Sequence, residues 1–519
     1  MGRGPRAIAA RWAHPALACC LVGLLSAACT TGSGPRGRPV PSSHARGAVS
    51  ARSSASRPAV LPRGTRRWRL SHPALEHQIE GFTARSSGVP GALVALHVST
   101  YAPAYHVTAY RIGAYPSGDG MRVWRSGRLA GTLQPGPDLV DPVRRTVVAP
   151  WRTSVLVDTA AWAPGLYVFK LVASTGWQAH VPYVVSSTSA AGRTALVFPV
   201  TTWQAYNNWG GYSLYEGPPG DRRSWAVSFD RPYPAPGATE MRFSAVPVVV
   251  TAERLDLPLA YLTDLDLDSR PDALAGASAY VSVGHDEYWS DAMRRRVEEA
   301  RDAGTNLLFL GANTMYWKVR VEPERGAPGR VVVGYRTDSG EDPVPPDERT
   351  GLWRDGPGHR SENALTGMEY ECFPVDAPFT VVAPRWWGFA GTGTHQGEAM
   401  PHLVGIEADR VYPVPSTPRP LQVLSDAHYS CRGAPTSAQA SYYTTRSGAG
   451  VLDVGTLRWT CALADRCPAD LSPRAVDFVR QVTATVLRDF ARGPAGRRHP
   501  AHDNVSRFSL PRTNEVPAS

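Results

Sequence analysis

Lysine is almost absent from this sequence of 519 residues, since Lys170 and Lys318 are the only two and arginine supplies nearly all of the positive charge. Residues 1–70 hold 12 arginines and no aspartate or glutamate, which leaves 43 basic and 45 acidic residues from position 71 onward. The net charge of +10 therefore comes from the N-terminal region. The remaining chain lacks the basic excess that is typical of nucleic-acid-binding proteins, and we predict no nucleic-acid partner.

Long apolar runs and the common catalytic signatures are also missing. Beyond the N-terminal region no stretch reaches the roughly 20 apolar residues that a transmembrane helix needs. The patterns GxSxG, P-loop, HExxH and a GxGxxG after a strand do not occur, which excludes the usual serine-hydrolase, nucleotide-binding and zinc-protease motifs. The chain is nevertheless 43% apolar and 9% aromatic, which is typical of a folded protein with two or three domains.

The first 29 residues have the layout of a bacterial secretory signal. Three arginines precede an apolar run from Pro15 to Ala28, which ends in small residues immediately before Cys29. This ending resembles a lipobox, in which Cys29 would be lipidated, although Ser26 stands where an aliphatic residue is usual. We therefore predict a signal peptide over residues 1–29 and an exported protein held at the membrane by a lipid on Cys29. A cleaved signal that releases a secreted protein, or a membrane-retained signal, is the alternative.

Composition and hydrophobic period divide the rest of the chain into four segments. Residues 30–70 are rich in Arg, Ser, Pro and Gly and predict a disordered tether. Residues 71–190 hold short alternating runs between Gly, Pro and Asp clusters, which is typical of an antiparallel β-sandwich. Residues 191–490 predict an α/β domain, and residues 491–519 a loosely structured tail.

A complete βαβ unit is the clearest pattern in the α/β segment. Its first strand is predicted over Ala279–Val283, its helix starts at Ser290 and stops at Gly304, and its second strand covers Asn306–Leu310. The continuous apolar run Ala195–Val200 is typical of another buried parallel strand. The carboxyl edge of such a sheet is where α/β proteins bind ligands.

Other parts of this segment are less regular. The valines of segment 245–262 favour a strand, whereas their wider spacing allows a helix. Residues 351–421 are predicted to be rich in loops. A strand over Gly450–Gly455 and a closing helix around Pro473–Phe490 follow them.

Four cysteines remain after the signal region, an even number in a chain that we expect to reach an oxidising compartment. Cys461 and Cys467 are close enough in sequence to close a short loop, which would leave Cys372 with Cys431. Three connectivities are compatible with the sequence, and free buried thiols are the alternative. Because none of the four belongs to a CxxC pair, a zinc ribbon is not expected.

Polar side chains follow three of the predicted strands. His285 and Glu287 follow the first strand of the βαβ unit, and Asn313 follows the second. Adjacent parallel strands lie about 4.8 Å apart, so loops from both can meet in one site. Tyr206 lies in an aromatic loop after the Ala195–Val200 strand. The aromatics that we predict to wall a pocket are Trp203, Trp209, Tyr212 and Tyr288. Helix capping, turn support and ordinary packing are the alternative roles.

Five motifs carry a family resemblance. They are Trp203–Tyr215, Val227–Tyr233, Tyr261–Leu267, Gly284–Ser290 and Gly311–Trp317. Together they resemble the large (β) subunit of N,N-dimethylformamidase and its bacterial relatives, over about residues 81–489. The resemblance implies a β-sandwich followed by a glutamine-amidotransferase-like α/β domain.

The resemblance also implies an amidohydrolase built around one mononuclear iron ion held by two tyrosines and a glutamate. Motif by motif, Glu287 matches the carboxylate ligand, Tyr206 one phenolate and, more weakly, Tyr167 the second. His285 and Asn313 match groups that handle protons and orient the substrate. Phenolate and carboxylate oxygens suit a hard, highly charged cation, so the chemistry of the residues agrees with this assignment.

The resulting hypothesis is an exported, iron-dependent amidohydrolase that acts on the C–N bond of a small formamide-type substrate. The alternative is a surface-anchored protein that binds a ligand on the same fold without turnover, and a hydrolase of another amide is a lesser option. The sequence leaves open whether the chain forms homo-oligomers and whether it needs a small-subunit partner.

Overall fold

The computed structural model describes residues 63–324, 327–355, 360–465, 467 and 469–513. The predicted signal peptide, Cys29 and the predicted tether up to residue 62 lie outside these ranges, as does the end of the predicted tail from residue 514. From residue 63 the chain is already packed, because Trp68 is buried and its indole N–H donates to Asp119 at 2.7 Å. The sequence predicted that the folded part starts at residue 71, but the packed chain starts earlier.

From residue 63 onward, eleven strands precede the first helix of the described chain. They are β1 (Ile79–Thr83), β2 (Ser87–Gly88), β3 (Leu93–Thr100), β4 (Ala104–Tyr115), β5 (Gly118–Arg125), β6 (Leu129–Ala130), β7 (Asp138–Asp141), β8 (Thr146–Val148), β9 (Val155–Asp158), β10 (Gly165–Ala173) and β11 (Gln178–Val185). Three of them pair in the order β1-β3-β9 and five in the order β2-β11-β10-β4-β5, with β6 beside β4. Only the short β2 pairs in parallel, so these sheets are otherwise antiparallel.

In both sheets, alternate residues of each strand point toward the other sheet. These residues form one apolar core that the two sheets share. Leu96 of β3, Val107 of β4 and Phe169 of β10 are fully buried members of this core. The predicted antiparallel sandwich is therefore present.

The rest of the chain alternates strands and helices. The strands are β12 (Thr194–Phe198), β13 (Ala226–Ser228), β14 (Leu259–Thr263), β15 (Ala279–Ser282), β16 (Tyr288–Ser290), β17 (Asn306–Phe309), β18 (Trp317–Glu324), β19 (Ala327–Val333), β20 (Gly351–Leu352), β21 (Glu369–Thr380), β22 (Ala399–Arg410), β23 (Leu421–Cys431), β24 (Ala434–Thr444) and β25 (Gly450–Asp453). The α-helices are α1 (Val200–Ala205), α2 (Val246–Arg254), α3 (Asp264–Ser269), α4 (Asp291–Asp302), α5 (Asn363–Thr366), α6 (Arg458–Leu463) and α7 (Pro473–Phe490).

A seven-stranded sheet in the order β14-β12-β15-β17-β25-β24-β23 forms the centre of this part. The first five strands are parallel, and β24 pairs antiparallel with both of its neighbours, β25 and β23. Both faces of the sheet are buried, since Leu196 and Phe198 of β12 belong to one core and Ala195 and Val197 to another. This explains why the sequence of β12 is continuously apolar rather than alternating.

The predicted βαβ unit is β15, α4 and β17. Ser290 caps α4, because its hydroxyl accepts a hydrogen bond from the N–H of Met293. Gly304 follows the helix with φ of +103°, a conformation that favours glycine and ends the helix where the sequence predicted.

Three segments differ from or refine the expectations. The valines of segment 245–262 lie in α2, and a strand, β14, follows them. The segment 351–421, predicted to be rich in loops, also contains the long hairpin β21-β22. The described part of the predicted tail packs on β23, where the Asn504 side chain exchanges two hydrogen bonds with the backbone of Val423 at 2.7 and 2.9 Å.

Polar and covalent links hold these layers together. Glu253 of α2 pairs with Arg111 of β4 at 2.8 Å and accepts from the Tyr261 hydroxyl at 2.6 Å. Cys372 is bonded to Cys431, and Cys461 to Cys467. These are the two disulfides that sequence proximity favoured. Within the described ranges, no helix has both the length and the apolar character needed to cross a membrane.

Candidate active site

Three loops meet at the carboxyl edge of the central sheet. Helix α1 follows β12 directly and ends at Tyr206, the loop after β15 carries His285 and Glu287, and the loop after β17 carries Asn313. The last two loops touch, since a Cβ on Gly311 would lie 2.4 Å from the carbonyl oxygen of Gly284. The strand ends therefore bring the sequence-predicted polar residues to one edge.

Two phenols and one carboxylate form the centre of the site. The hydroxyl of Tyr206 donates to Glu287 Oε2 at 2.7 Å. The hydroxyl of Tyr215 lies 2.8 Å from Glu287 Oε1, 2.9 Å from Oε2 and 2.8 Å from the Tyr206 oxygen. The two rings stack with centroids 4.3 Å apart, and Tyr288 contacts both of them edge-on. Four oxygens from three side chains thus converge on one point.

Backbone contacts fix the position of Glu287, which is only 2% exposed. Its N–H donates to Thr202 Oγ1 at 2.9 Å. The neighbouring Thr201 is bound to Asp264 through both its N–H, at 2.8 Å, and its hydroxyl, at 2.5 Å. Helix α1 therefore carries Tyr206 and also holds the loop that carries Glu287.

A buried arginine shapes the loop between the two tyrosines. Arg231 donates from Nη1 to the carbonyl oxygens of Trp209 and Tyr212, at 3.0 and 2.8 Å, and from Nη2 to that of Asn207, at 2.7 Å. Gly210 within this loop has φ of +78°, which favours glycine. This turn returns the chain so that Tyr215 reaches the same carboxylate as Tyr206.

A second arginine lies over Tyr215. The guanidinium carbon of Arg336 is 3.9 Å from the centroid of the Tyr215 ring and 4.7 Å from that of Trp317. Its Nη1 donates to the Leu214 carbonyl at 2.8 Å. A cation over a phenol ring favours negative charge on that ring, so Arg336 opposes, without cancelling, the effects of burial and of Glu287 that raise the pKa of Tyr215.

The surroundings of both phenols favour the protonated form of each hydroxyl. Burial of the hydroxyl groups, and then the negative charge of Glu287, raise the pKa of Tyr206 and of Tyr215 well above their usual range. A bound cation would reverse this effect by stabilising the phenolates. Tyr206 keeps 37% of its surface exposed, so the group is open to solvent on one side.

His285 lies between two carboxylates. Its Nε2 is 3.2 Å from Glu407 Oε2 and 3.5 Å from Glu287 Oε2. Burial opposes the charged imidazole, but the negative charges of Glu407 and Glu287 outweigh it and raise the pKa of His285 to about 10. His285 and Glu407 therefore form an ion pair beside Glu287.

Asn313 adopts a left-handed conformation, with φ of +58°. Its N–H donates to Asp409 Oδ1 at 2.8 Å, and burial raises the pKa of that carboxyl. The side-chain oxygen of Asn313 is buried without a hydrogen-bond partner among the described residues. A buried polar atom of this kind is suited to a bound ligand.

Tyr167 was expected to be the second phenolate ligand, but it is not part of this group. It lies on β10 in the sandwich core, stacked on Trp162, and its hydroxyl donates to the Ala163 carbonyl at 2.6 Å. Alternation along β10 points Tyr167 toward this core, and the second tyrosine beside Glu287 is Tyr215 instead.

Of the four predicted pocket aromatics, only Tyr288 contacts the group. Trp203 is buried against Phe198, and Trp209 packs against Trp151. Tyr212 donates its hydroxyl to Asp221. These three residues have the packing and surface roles that were the alternative interpretation.

The sequence reasoning missed two members of the site. Tyr215 lies inside a motif that carried the resemblance, but its approach depends on the irregular loop that Arg231 holds. Glu407 lies on β22, in a segment predicted to be loop-rich. Neither Tyr215 nor Glu407 stands at a sequence spacing from Glu287 that would predict its place in the site.

Comparison with known proteins agrees with the resemblance. The family model described as N,N-dimethylformamidase beta subunit-like, C-terminal matches residues 106–470, more than half of the chain. A comparison with curated proteins finds no match. The chain belongs to the N,N-dimethylformamidase beta subunit-like, C-terminal family.

Proposed function

We propose that the protein is an iron-dependent amidohydrolase that cleaves the C–N bond of a small formamide-type amide. The observation that carries the proposal is the convergence of the Tyr206 and Tyr215 hydroxyls on the carboxylate of Glu287, at 2.7 to 2.9 Å. The family to which the chain belongs supports a function related to dimethylformamidase.

The donor set fits a hard metal ion. Within the described ranges no group of three His, Cys, Asp or Glu side chains is arranged to hold a metal, so the candidate ligands are phenols and one carboxylate. Oxygen ligands of this type favour a hard, highly charged cation such as ferric iron. Tyr206, Tyr215 and Glu287 would hold it, and three protein ligands would leave positions for substrate and water.

Iron at these oxygens would supply Lewis acidity toward an amide carbonyl. The chain's own residues then handle the proton. The carboxylate of Glu407 can take the proton of the attacking water, and the protonated imidazole of His285 can give its proton to the amine nitrogen as the C–N bond breaks, which leaves a carboxylic acid and an amine. The side-chain amide N–H of Asn313 can donate to the oxygen of the carbonyl group and orient it.

Location and assembly belong to the same proposal. We infer export through residues 1–29 and anchoring at Cys29, on the sequence pattern alone. Because the family is named for a beta subunit, we also propose that a small subunit assembles with this chain. Tagged full-length protein purified from its own host, with and without Cys29→Ser, would reveal both the lipid and the subunit.

Glu287→Gln tests the function directly. We expect loss of bound iron and a fall of at least 1000-fold in the hydrolysis of N,N-dimethylformamide and other small amides, because a neutral amide cannot replace the carboxylate ligand. Glu216→Gln is the matched control, since Glu216 lies in the same region and contacts Asn208. Iron-free protein with full amidase activity would refute the proposal, and ligand binding without hydrolysis in the parent protein would favour the non-catalytic alternative.

A further inference from the structure

A groove of about 960 Å³ lies on the outer face of the sandwich. His106, Thr108 and Tyr110 of β4 and Lys170 and Val172 of β10 form its floor. Alternation places these residues on the face opposite the sandwich core. The chain from residue 63 to residue 71 and the side chains of β5 form its walls.

The groove is strongly cationic. Its lining includes seven cationic side chains and, within the described part of the chain, no carboxylate: Arg63, Arg66, Arg67, Arg69, Arg122, Arg125 and Lys170. Asp119 and Asp465 neutralise Arg69, and Asp465 also lies 3.8 Å from Arg66. The other five cations have no carboxylate partner among the described residues.

Lys170 is the most informative of these cations, because it is only 7% exposed. Its ammonium donates to the carbonyl oxygens of Arg67 and Arg69 at 2.9 and 2.7 Å, and no acidic group balances its charge among the described residues. Burial lowers the pKa of Lys170, and burial together with Arg125 and Lys170 lowers that of His106. A groove in which five of seven cations lack a carboxylate partner among the described residues indicates an anionic ligand.

A second groove of about 910 Å³ adjoins the first and shares Arg66, Arg69 and Leu70 with it, and its mixed lining holds further charged residues, among them Arg242 and Asp119. Its lining includes Val246 and Phe243, which is 44% exposed. Cationic and apolar surfaces side by side favour an amphiphile over a purely hydrophilic polyanion such as nucleic acid.

We propose that the cationic groove around Lys170 docks the protein on a bilayer of anionic phospholipids, with headgroup phosphates between Arg67, Arg122 and Arg125. The occupant is a lipid surface, because apolar side chains, including the exposed Phe243, lie beside the cationic groove. The lining residues from Arg63 also continue the segment that links the fold to the predicted anchor at Cys29. A basic patch on the fold would add about 1 kcal/mol of attraction to anionic lipids for each cation near the surface and would orient the anchored protein on the bilayer.

Vesicle co-sedimentation of the full chain tests this proposal. All proteins carry Cys29→Ser, so that no lipid is attached, and all keep residues 1–62. The parent is compared with Arg122→Ser/Arg125→Ser and with the control Arg488→Ser/Arg492→Ser, which removes the same charge from exposed positions elsewhere. The vesicles contain phosphatidylcholine alone or with 30% phosphatidylglycerol, at about 0.1 M salt.

We expect binding to the anionic vesicles only, and a loss of about 30-fold in the groove variant, which is about 1 kcal/mol for each of two cations. The control variant should lose less than threefold. Equal losses in both variants, or unchanged binding in both because residues 1–62 supply it, would overturn the proposal. So would parent protein that binds inorganic phosphate or duplex DNA but not the anionic vesicles. Thermal unfolding of both variants should match the parent, since the replaced residues are exposed.

Discussion

The hydroxyl of Tyr215 lies within 2.9 Å of both carboxylate oxygens of Glu287. With Tyr206 on Oε2, the carboxylate is shared by two phenols whose rings stack on each other. Two protonated phenols on one buried carboxylate give an arrangement whose protons a hard cation can replace. The proposed metal site therefore rests on Tyr215 as much as on the residues that the sequence indicated.

Glu407→Gln should separate proton handling from metal binding. Glu407 contacts His285 at 3.2 Å and is not a proposed ligand, so iron content should stay at the parent level. Amidase kcat should fall by about 100-fold or more, because the site loses the carboxylate that handles the proton together with the imidazole of His285. Steady-state kinetics and metal analysis of the same samples would check this, with the exposed Glu348→Gln as control. Full activity in Glu407→Gln would contradict the assigned role.

Arg231→Met should loosen the loop that joins the two tyrosines. The change leaves three carbonyl groups of that loop without their donor, and we expect a loss of about 3 kcal/mol in the free energy of unfolding. Amidase activity should fall with it, because Tyr215 is no longer held. Urea unfolding measures the effect, and Arg222→Met, at an exposed position in the same region, should change stability by less than about 0.5 kcal/mol. Equal stability of the two variants would refute this role.

His180 should make the fold sensitive to acid. Its Nε2 contacts the Trp68 carbonyl at 2.8 Å, and burial lowers its pKa to about 3. Below about pH 6.5 the unfolded chain takes up a proton that the folded protein resists, so stability is lost as the pH falls toward 3. The contribution is at most about 1.4 kcal/mol per pH unit.

Denaturant unfolding between pH 7 and pH 4 measures this dependence. In His180→Gln the slope of unfolding free energy against pH should be smaller, because glutamine does not titrate. The largely exposed His428 provides the control His428→Gln, which should keep the parent slope. An unchanged slope in His180→Gln would show that other groups cause the acid sensitivity.

The sequence predicted elements whose pattern is local. The βαβ unit, its cap at Ser290 and the alternating sandwich strands depend on neighbouring residues, and the structure has them. Glu287, His285 and Asn313 follow strand ends, so parallel pairing brings their loops to one edge.

Contacts between residues that are far apart in the sequence could not be predicted from such local patterns. Tyr215 reaches Glu287 only because Arg231, further along the chain, holds the carbonyls of the loop between Tyr206 and Tyr215. Glu407 comes from a hairpin with register shifts between its strands, which weaken the period-two pattern. Tyr167 was assigned by resemblance, but the alternation of β10 directs it into the sandwich core.

Iron content and the visible spectrum of three variants test the central claim most directly. The parent should bind about one iron per chain and show a phenolate-to-iron charge-transfer band. Tyr206→Phe and Tyr215→Phe should each weaken or shift the band, whereas Tyr167→Phe should leave it unchanged. A parent protein that takes up no iron after reconstitution, or a band that survives Tyr215→Phe and disappears in Tyr167→Phe, would contradict the account.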